Sequence, residues 1–265
     1  MPQESDTLIT RKLSKMRQQN LGFDQDFIAA RCIENILQRV SLSDALAAPD
    51  VARVLSLYDQ NVGVAKHLAG VTQSIDQVPF SKLSDSPAQL MSMLPSEQYD
   101  VIISNLVFDW LDAGAFIRLL DYLLLPDGMF WFSCYGPQTA LRTREKLSAI
   151  DSYPHFNDYF DLRDVGDALL GAGFKDVVLE SSVLKLEYDS VDAVLADAVR
   201  VFSVNLHPER RKTITPVRVL LALKREIEKE IELNGVYAEQ VEVLIAHGKK
   251  PCVPGLGGVI PVRQG

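Results

Sequence analysis

The sequence predicts an α/β fold built on a mainly parallel, doubly wound sheet. Apolar strands alternate with amphipathic helices along most of the chain, a pattern typical of strand–helix–strand units. Two of the strands, Val101–Ser104 and the MFWFSCY run, are apolar on both faces, as in a sheet that helices cover on both sides. With 265 residues, 47% of them hydrophobic, the chain suffices for one large domain.

The first half of the chain contains a polar arm and then four predicted elements. Residues 1–20 are polar and mixed in charge, as in a terminal arm. The elements that follow are a helix over Phe23–Val40, a strand over Val51–Leu57, a short helix over Gly63–Ala69 and a strand over Val71–Asp76. Between Gln77 and Gln98 three prolines interrupt the pattern, and no third strand is predicted there.

The second half carries the clearest periodicity and turn signals. We predict the strand Val101–Ser104, a helix over Ala115–Leu125, a strand in MFWFSCYG, a helix over Leu162–Ala172 capped by Asp161, one or two strands within Val177–Tyr188, a helix to about Leu233 with Thr215 as N-cap and Pro216 in its first turn, and a last strand over Val241–Ala246. A single domain over 21–248 and a Gly/Pro-rich tail over 249–265 are therefore expected.

Composition and spacing argue against several functional classes. The three cysteines, Cys32, Cys134 and Cys252, lie far apart, without the spacing of a zinc site or a disulfide framework, and they favour a reducing cytoplasm. A polar start without a long apolar run predicts neither signal peptide nor membrane anchor. A net charge of −8 argues against nucleic-acid binding. No GxSxG, HExxH, Walker or Tyr-x-x-x-Lys pattern occurs.

Three stretches of the second half carry a family resemblance. They read YDVIISNLVFDWLDAGAFIRLLDYLLLPDG, GPQTALRTREKL and HFNDYFDLRDVGDALLGAGFKDVVLE. In them the chain resembles the class I S-adenosylmethionine-dependent methyltransferases, in the branch of the malonyl-[acyl-carrier protein] O-methyltransferase of biotin synthesis and of the complex I assembly factor that hydroxylates an arginine. The resemblance covers roughly Phe23 to Lys250. It implies a Rossmann-like sheet with an antiparallel last strand.

The resemblance also implies a set of residues around S-adenosylmethionine. In the family an acidic residue and a G-x-G-x-G loop end the first strand, and the matching positions here are Ser56, Tyr58, Gln60 and Val62, with Asn61 between them and Gly63 one place out of register. An acidic residue after the second strand holds the ribose, and Asp76 is the candidate. Asp85 is the nearest candidate for the residue beside the adenine.

Two interpretations of this loop stay open. Glycine lets a backbone approach a ligand closely, and a ring at Tyr58 would fill that space. In the first interpretation the loop tolerates the change, and the chain methylates a carboxylate such as that of malonyl-acyl-carrier protein. In the second the chain has lost cofactor binding and serves as a non-catalytic binding or regulatory protein, for an active paralogue or a carrier protein.

Four further residues are candidates for the pocket. The resemblance implies that Asn105 and Trp110 line it near the methyl donor, with core packing as the alternative for Trp110. Tyr135 ends the next strand and could contact substrate or simply pack under a loop. His155 lies in the segment that resembles the substrate-side loop. We favour a structural hydrogen bond for it over catalysis.

Two charged groups complete the list of candidates. Four aspartates recur at every third residue, Asp158, Asp161, Asp164 and Asp167. Because the chain turns from loop to helix among them, we predict helix capping and no metal site. A basic cluster consists of Arg210, Arg211, Lys212, Arg218, Lys224 and Arg225. It is interpreted as a solvated helix face or as a docking site for an acidic partner such as acyl-carrier protein.

Overall fold

Six strands form one sheet in the structure, a computed structural model that describes residues 27–42, 53–59, 64, 68, 74–79, 87–200, 205 and 207–252. The strands are β1 (Arg53–Asp59), β2 (Ser74–Pro79), β3 (Tyr99–Asn105), β4 (Leu124–Tyr135), β5 (Lys175–Tyr188) and β6 (Tyr237–Lys249). Their order across the sheet is β2-β1-β3-β4-β6-β5. Strand β6 pairs antiparallel with both β4 and β5, and the pairs among β1 to β4 are parallel. The predicted mainly parallel sheet with an antiparallel last strand is confirmed.

The helices have well-defined starts and stops. They are α1 (Phe27–Leu42), α2 (Pro87–Met93), α3 (Ala113–Leu123), α4 (Leu141–Ile150), α5 (Leu162–Gly171), α6 (Val191–Arg200) and α7 (Val217–Asn234), with a 3-10 helix at Phe108–Trp110. Asp161 caps α5 as predicted, since its carboxylate accepts a hydrogen bond from the Asp164 N–H at 2.8 Å. The predicted cap of α7 is wrong. Pro216, not Thr215, occupies the N-cap position, and it has no side chain that could accept a hydrogen bond.

Apolar layers cover the sheet on both faces. On one face, α2, α3 and α5 pack on the sheet around Phe116, Phe130 and Phe132. On the other face, α1 packs against Val54, Ile103 and Trp131. A third cluster joins α4, α6 and α7 beside the start of β6. Burial on both faces explains why β3 and β4 are apolar throughout.

Several boundaries differ from those that the sequence predicts. Strand β2 lies three residues later than the predicted Val71–Asp76, and β6 is about twice as long as predicted. Helices α2, α4 and α6 were not predicted. Between β2 and β3 the described residues contain α2 and no strand, while residues 80–86 lie outside the described part. The predicted arm over 1–20 lies there too, as does most of the predicted tail. None of the described helices is both long and apolar enough to cross a membrane.

Candidate functional site

The carboxyl ends of β1, β3 and β4 lie at one edge of the sheet because these strands run parallel. At this edge Asn105, the last residue of β3, stands beside Ser133 of β4. Three segments border the edge: the 3-10 helix after β3, the turn over 136–140 after β4, and the loop over 151–160. Ligands of open α/β sheets bind at such an edge.

Asn105 ties three elements together. Its Nδ2 donates to the Ala29 carbonyl oxygen of α1 at 2.9 Å, and its Oδ1 accepts from the Ser133 hydroxyl at 2.7 Å. The Ser133 oxygen accepts in turn from the Leu106 N–H at 3.0 Å. The side chain therefore fixes the end of β3 against α1 and β4, and the pocket role expected for Asn105 stays a prediction.

Asp109 is an acidic group at this edge that the sequence reasoning missed. Its Oδ2 accepts from the Tyr135 N–H at 2.9 Å, and its carbonyl oxygen accepts from Asn157 Nδ2 at 3.1 Å. Burial raises the pKa of its carboxyl group to about 7, against the opposing effect of the hydrogen bond from Tyr135. Asp109 therefore exchanges a proton near neutral pH, a property common at functional sites.

Two tyrosines form an aromatic wall next to Asp109. Tyr135 is buried at the end of β4, and its ring meets that of Tyr159 edge-on, with the centroids 6.2 Å apart. The guanidinium of Arg144 lies over the Tyr159 ring at 5.3 Å. Burial, and then the charge of Asp109, raise the pKa of Tyr159, so its hydroxyl stays protonated. Tyr135 thus lies at the expected edge, and its contact with substrate stays a prediction.

The loop over 151–160 is anchored by an ionic cluster at its start. His155 Nε2 lies 3.1 Å from Asp151 Oδ2, and Arg211 Nη2 donates to both Asp151 oxygens at 2.8 and 3.0 Å. Burial opposes ionisation of Asp151, but the hydrogen bond and charge of Arg211 outweigh it and hold its pKa below the usual range. The Arg211 guanidinium also covers the Tyr153 ring at 4.1 Å. His155 accordingly makes the structural hydrogen bond that we favoured for it.

Glu242, on the neighbouring strand β6, holds the turn that follows β4. Its carboxylate is buried and accepts from the Gln138 N–H at 3.0 Å and from the Ser181 hydroxyl at 2.6 Å. A Cβ at position 136 would lie 2.5 Å from the Glu242 side chain, which explains glycine at that position. Sequence reasoning missed Glu242, although an acidic residue inside the apolar run VEVLIA is itself a signal, since buried charges need partners.

Asp76 does not lie where the resemblance implies. It stands three residues before the end of β2. Its Oδ2 accepts from Arg53 Nη2 at 3.2 Å and from the Tyr99 hydroxyl at 3.1 Å. Arg53 and Tyr99 are the first residues of β1 and β3, so the carboxylate faces the amino ends of the strands. In this structure Asp76 is thus bonded away from the carboxyl ends of the strands, and its expected role in holding a ribose stays a prediction.

The structure describes only some of the other residues that were predicted to bind S-adenosylmethionine. Ser56 is buried within β1. Tyr58 is the penultimate residue of β1, and Trp110 ends the 3-10 helix. The side chains of both lie outside the described part. The remaining positions also lie outside it, namely Gln60, Asn61, Val62, Gly63 and Asp85. The predictions for these residues therefore stand as predictions.

Ser104 offers an unused polar group at the edge. Its hydroxyl is buried without a hydrogen-bond partner among the described residues. It lies at the penultimate position of β3, paired with Phe132. A buried hydroxyl without a partner is costly, and a polar group of a bound nucleoside would satisfy it. At the end of β3, the residues present are compatible with such a ligand.

The four aspartates at every third residue do not gather. Asp158 lies 3.1 Å from His207 Nε2, Asp161 caps α5, and Asp167 pairs with Arg163 at 3.6 Å. Over the described ranges, no group of three or more His, Cys, Asp or Glu residues could hold a metal ion.

Comparison with known proteins agrees with the predicted resemblance. No family model matches the chain. A solved Bacillus halodurans protein, a candidate methyltransferase, superposes with a TM-score of 0.52 over 82% of this chain and 98% of its own, at 12% identity. At that identity the match concerns the fold alone. The fold is that of the class I S-adenosylmethionine-dependent methyltransferases.

Relatives found by sequence similarity point to one group of methyltransferases. The chain is 30% identical over 160 residues to malonyl-[acyl-carrier protein] O-methyltransferase of Gallionella capsiferriformans, a match that covers 60% of this chain and 55% of that protein. It is 27% identical over 195 residues to the protein of the same name from Nitrosospira multiformis, covering 73% and 58%. The chain thus spans a little over half the length of these relatives. The resemblance to malonyl-[acyl-carrier protein] O-methyltransferases is confirmed.

Proposed function

We propose that this protein transfers the methyl group of S-adenosylmethionine to a carboxylate oxygen, that of a malonyl group on acyl-carrier protein, as a step of biotin synthesis. One observation carries the proposal. A chain with the class I methyltransferase sheet also resembles, over 160 residues, a relative named for this reaction. The ionisable residue at the strand ends, Asp109, gives the site a chemistry that suits an anionic acceptor.

When bound, S-adenosylmethionine would supply a sulfonium methyl group that a carboxylate oxygen can accept without proton transfer, since the O–C bond forms as the S–C bond breaks and S-adenosylhomocysteine leaves. The protein's task is then to align donor and acceptor. In this proposal the Ser104 hydroxyl, which is buried without a partner among the described residues, would hold a polar group of the donor, and Tyr135 and Tyr159 would exclude water from the site.

Asp109 would act through its charge. In its neutral form it can stand next to an anionic acceptor and donate a hydrogen bond to it, whereas the ionised form would repel the acceptor. Because its pKa is about 7, we expect the KM for the acceptor to rise as the pH increases from 6 to 8. An Asp109→Asn variant, always neutral, should show a flatter profile.

Calorimetric titration with S-adenosylhomocysteine tests the proposal most directly. A dissociation constant in the micromolar range, followed by methyl transfer to malonyl-acyl-carrier protein, is the expected result. The variant Tyr58→Gly should bind more tightly if the ring crowds the loop. An absence of heat at millimolar ligand, with an unchanged melting temperature, would reject the proposal and leave the non-catalytic interpretation of the loop.

A further inference from the structure

One side of α7 is apolar and basic and is not used by the fold. The helix is held by a buried stripe of Val219, Leu223 and Ile227, which packs with α4 and α6. On the opposite side, Val217 and Leu221 are 68% and 48% exposed. We call this side the α7 face, defined by Ile214, Val217, Arg218, Leu220, Leu221 and Arg225.

The apolar residues of the α7 face lie next to one another. Residues three and four apart are neighbours on a helix, so Val217, Leu220 and Leu221 make one patch. Ile214, just before the helix, is 92% exposed. Single exposed apolar residues are ordinary, but a contiguous patch marks an interaction site.

The charge of the α7 face is opposite to that of the whole protein. The net charge of the chain is −8, yet no acidic residue occurs from Arg210 to Arg225. Lys224 is paired with Asp192 at 3.0 Å. Arg218 and Arg225 have no ion pair with any residue that the structure describes. The patch is therefore flanked by two cations that are available to an acidic partner.

The basic segment also reaches the candidate site. Arg211, on the same segment as the α7 face, holds Asp151 at the start of the loop over 151–160. Farther along this loop, Asn157 donates to the Asp109 carbonyl oxygen. The segment that leads into α7 is thus tied to the loop that borders the strand ends.

We propose that the α7 face docks the acyl-carrier protein that presents the acyl substrate. Apolar contact through Val217 and Leu221 would supply affinity, and Arg218 and Arg225 would select an acidic surface. The inference rests on the proposed function, because the identity of the partner comes from it. The dock itself is located by exposure and charge alone.

Binding of purified bacterial acyl-carrier protein to the full chain tests the inference, by surface plasmon resonance at two salt concentrations. We expect Leu221→Ser and the double variant Arg218→Glu/Arg225→Glu each to weaken binding about tenfold or more, with wild-type affinity falling as salt rises. Matched controls are Leu233→Ser, a still more exposed leucine at the far end of α7, and Arg163→Glu on α5. Both should bind as the wild type does.

A second readout separates the dock from the reaction. Malonyl-coenzyme A offers the same carboxylate without a protein, so its methylation and the affinity for S-adenosylhomocysteine should be unchanged in the α7 variants. If the wild type binds the carrier but methylates nothing, the dock stands and the proposed function fails. Equal carrier binding by wild type and variants would overturn the dock, as would no binding by the wild type. A dimer of the wild type that Leu221→Ser dissolves, measured by sedimentation, would assign the face to a second copy and overturn it too.

Discussion

The two halves of the strand-end edge differ in how their polar residues are held. At β3 and β4, Asn105, Asp109 and Glu242 are bonded to partners on other elements. At β2, the acidic residue expected to bind ligand, Asp76, instead pairs at the opposite end with a side chain that is 45% exposed. A buried polar group must find a hydrogen-bond partner, so its contacts are fixed by the fold. The contacts of a half-exposed polar residue such as Asp76 depend instead on the register in which its strand pairs.

Removal of the Glu242 carboxylate should produce the largest loss of stability. In Glu242→Ala the Ser181 hydroxyl and the Gln138 N–H lose an acceptor that is itself buried, both hydrogen bonds being partly buried, and we expect the free energy of unfolding to fall by about 2 kcal/mol. Urea denaturation measures it. Glu187→Ala, at an exposed position of β5, is the control and should change stability by less than about 0.5 kcal/mol. Equal losses in both variants would contradict the network at β4.

Asp109 should make stability fall as pH rises. Its folded pKa of about 7 lies above its ordinary value of 3.8, so between these values the folded state binds more protons than the unfolded state. The free energy of unfolding therefore decreases with pH in this window. Three pKa units correspond to about 4 kcal/mol, and since Asp109 keeps partial contact with solvent, we expect about 2 kcal/mol.

The variant Asp109→Asn isolates this effect. Its amide oxygen still accepts from the Tyr135 N–H, but the group no longer ionises. At pH 8 the variant should be more stable than the wild type by about 2 kcal/mol, while at pH 4 the two should be alike. Thermal unfolding from pH 4 to 8 measures the difference. Parallel curves for wild type and variant would show that the carboxyl titrates normally.

Asn105→Ala should have an intermediate effect. The Ala29 carbonyl and the Ser133 hydroxyl each lose a hydrogen bond, and we expect a loss of about 1.5 kcal/mol, concentrated in the docking of α1. Hydrogen exchange of α1 amides should accelerate more than exchange of α3 amides. Asn234→Ala, at the exposed end of α7, is the matched control. Uniform acceleration in both helices would argue against a bond specific to α1.

The same contrast explains what the sequence could predict. Strands β3 and β4 were predicted because burial on both faces leaves a continuous apolar run. Helix α4 was missed because only Thr143 and Leu147 among its residues are buried, so its polar pattern resembles a loop. Strand β2 was misplaced because only one of its six residues, Val78, is buried, and its register depends on pairing with β1.

The site shows a similar limit. Asn105 and Tyr135 could be placed at the edge because each ends an apolar strand. Asp109 could not be recognised, since its raised pKa depends on burial by residues such as Tyr135 and Tyr159, which lie 26 and 50 positions away along the chain. The lack of a hydrogen-bond partner for Ser104 could not be predicted either, because it depends on which residues surround the hydroxyl in the fold.

Asp76→Asn should have the smallest effect. It tests whether the polar residue of β2 is without a role in ligand binding. The Arg53–Asp76 pair is half exposed, and such pairs contribute about 0.5 kcal/mol, so the free energy of unfolding should fall by no more than that. The affinity for S-adenosylhomocysteine should be unchanged, because the carboxylate faces the amino ends of β1 and β3, away from the ligand edge. Titration of wild type and variant under the same conditions measures this. A tenfold loss of affinity with unchanged stability would mean that β2 shifts its register when ligand binds, and the two halves of the edge would then be alike in function.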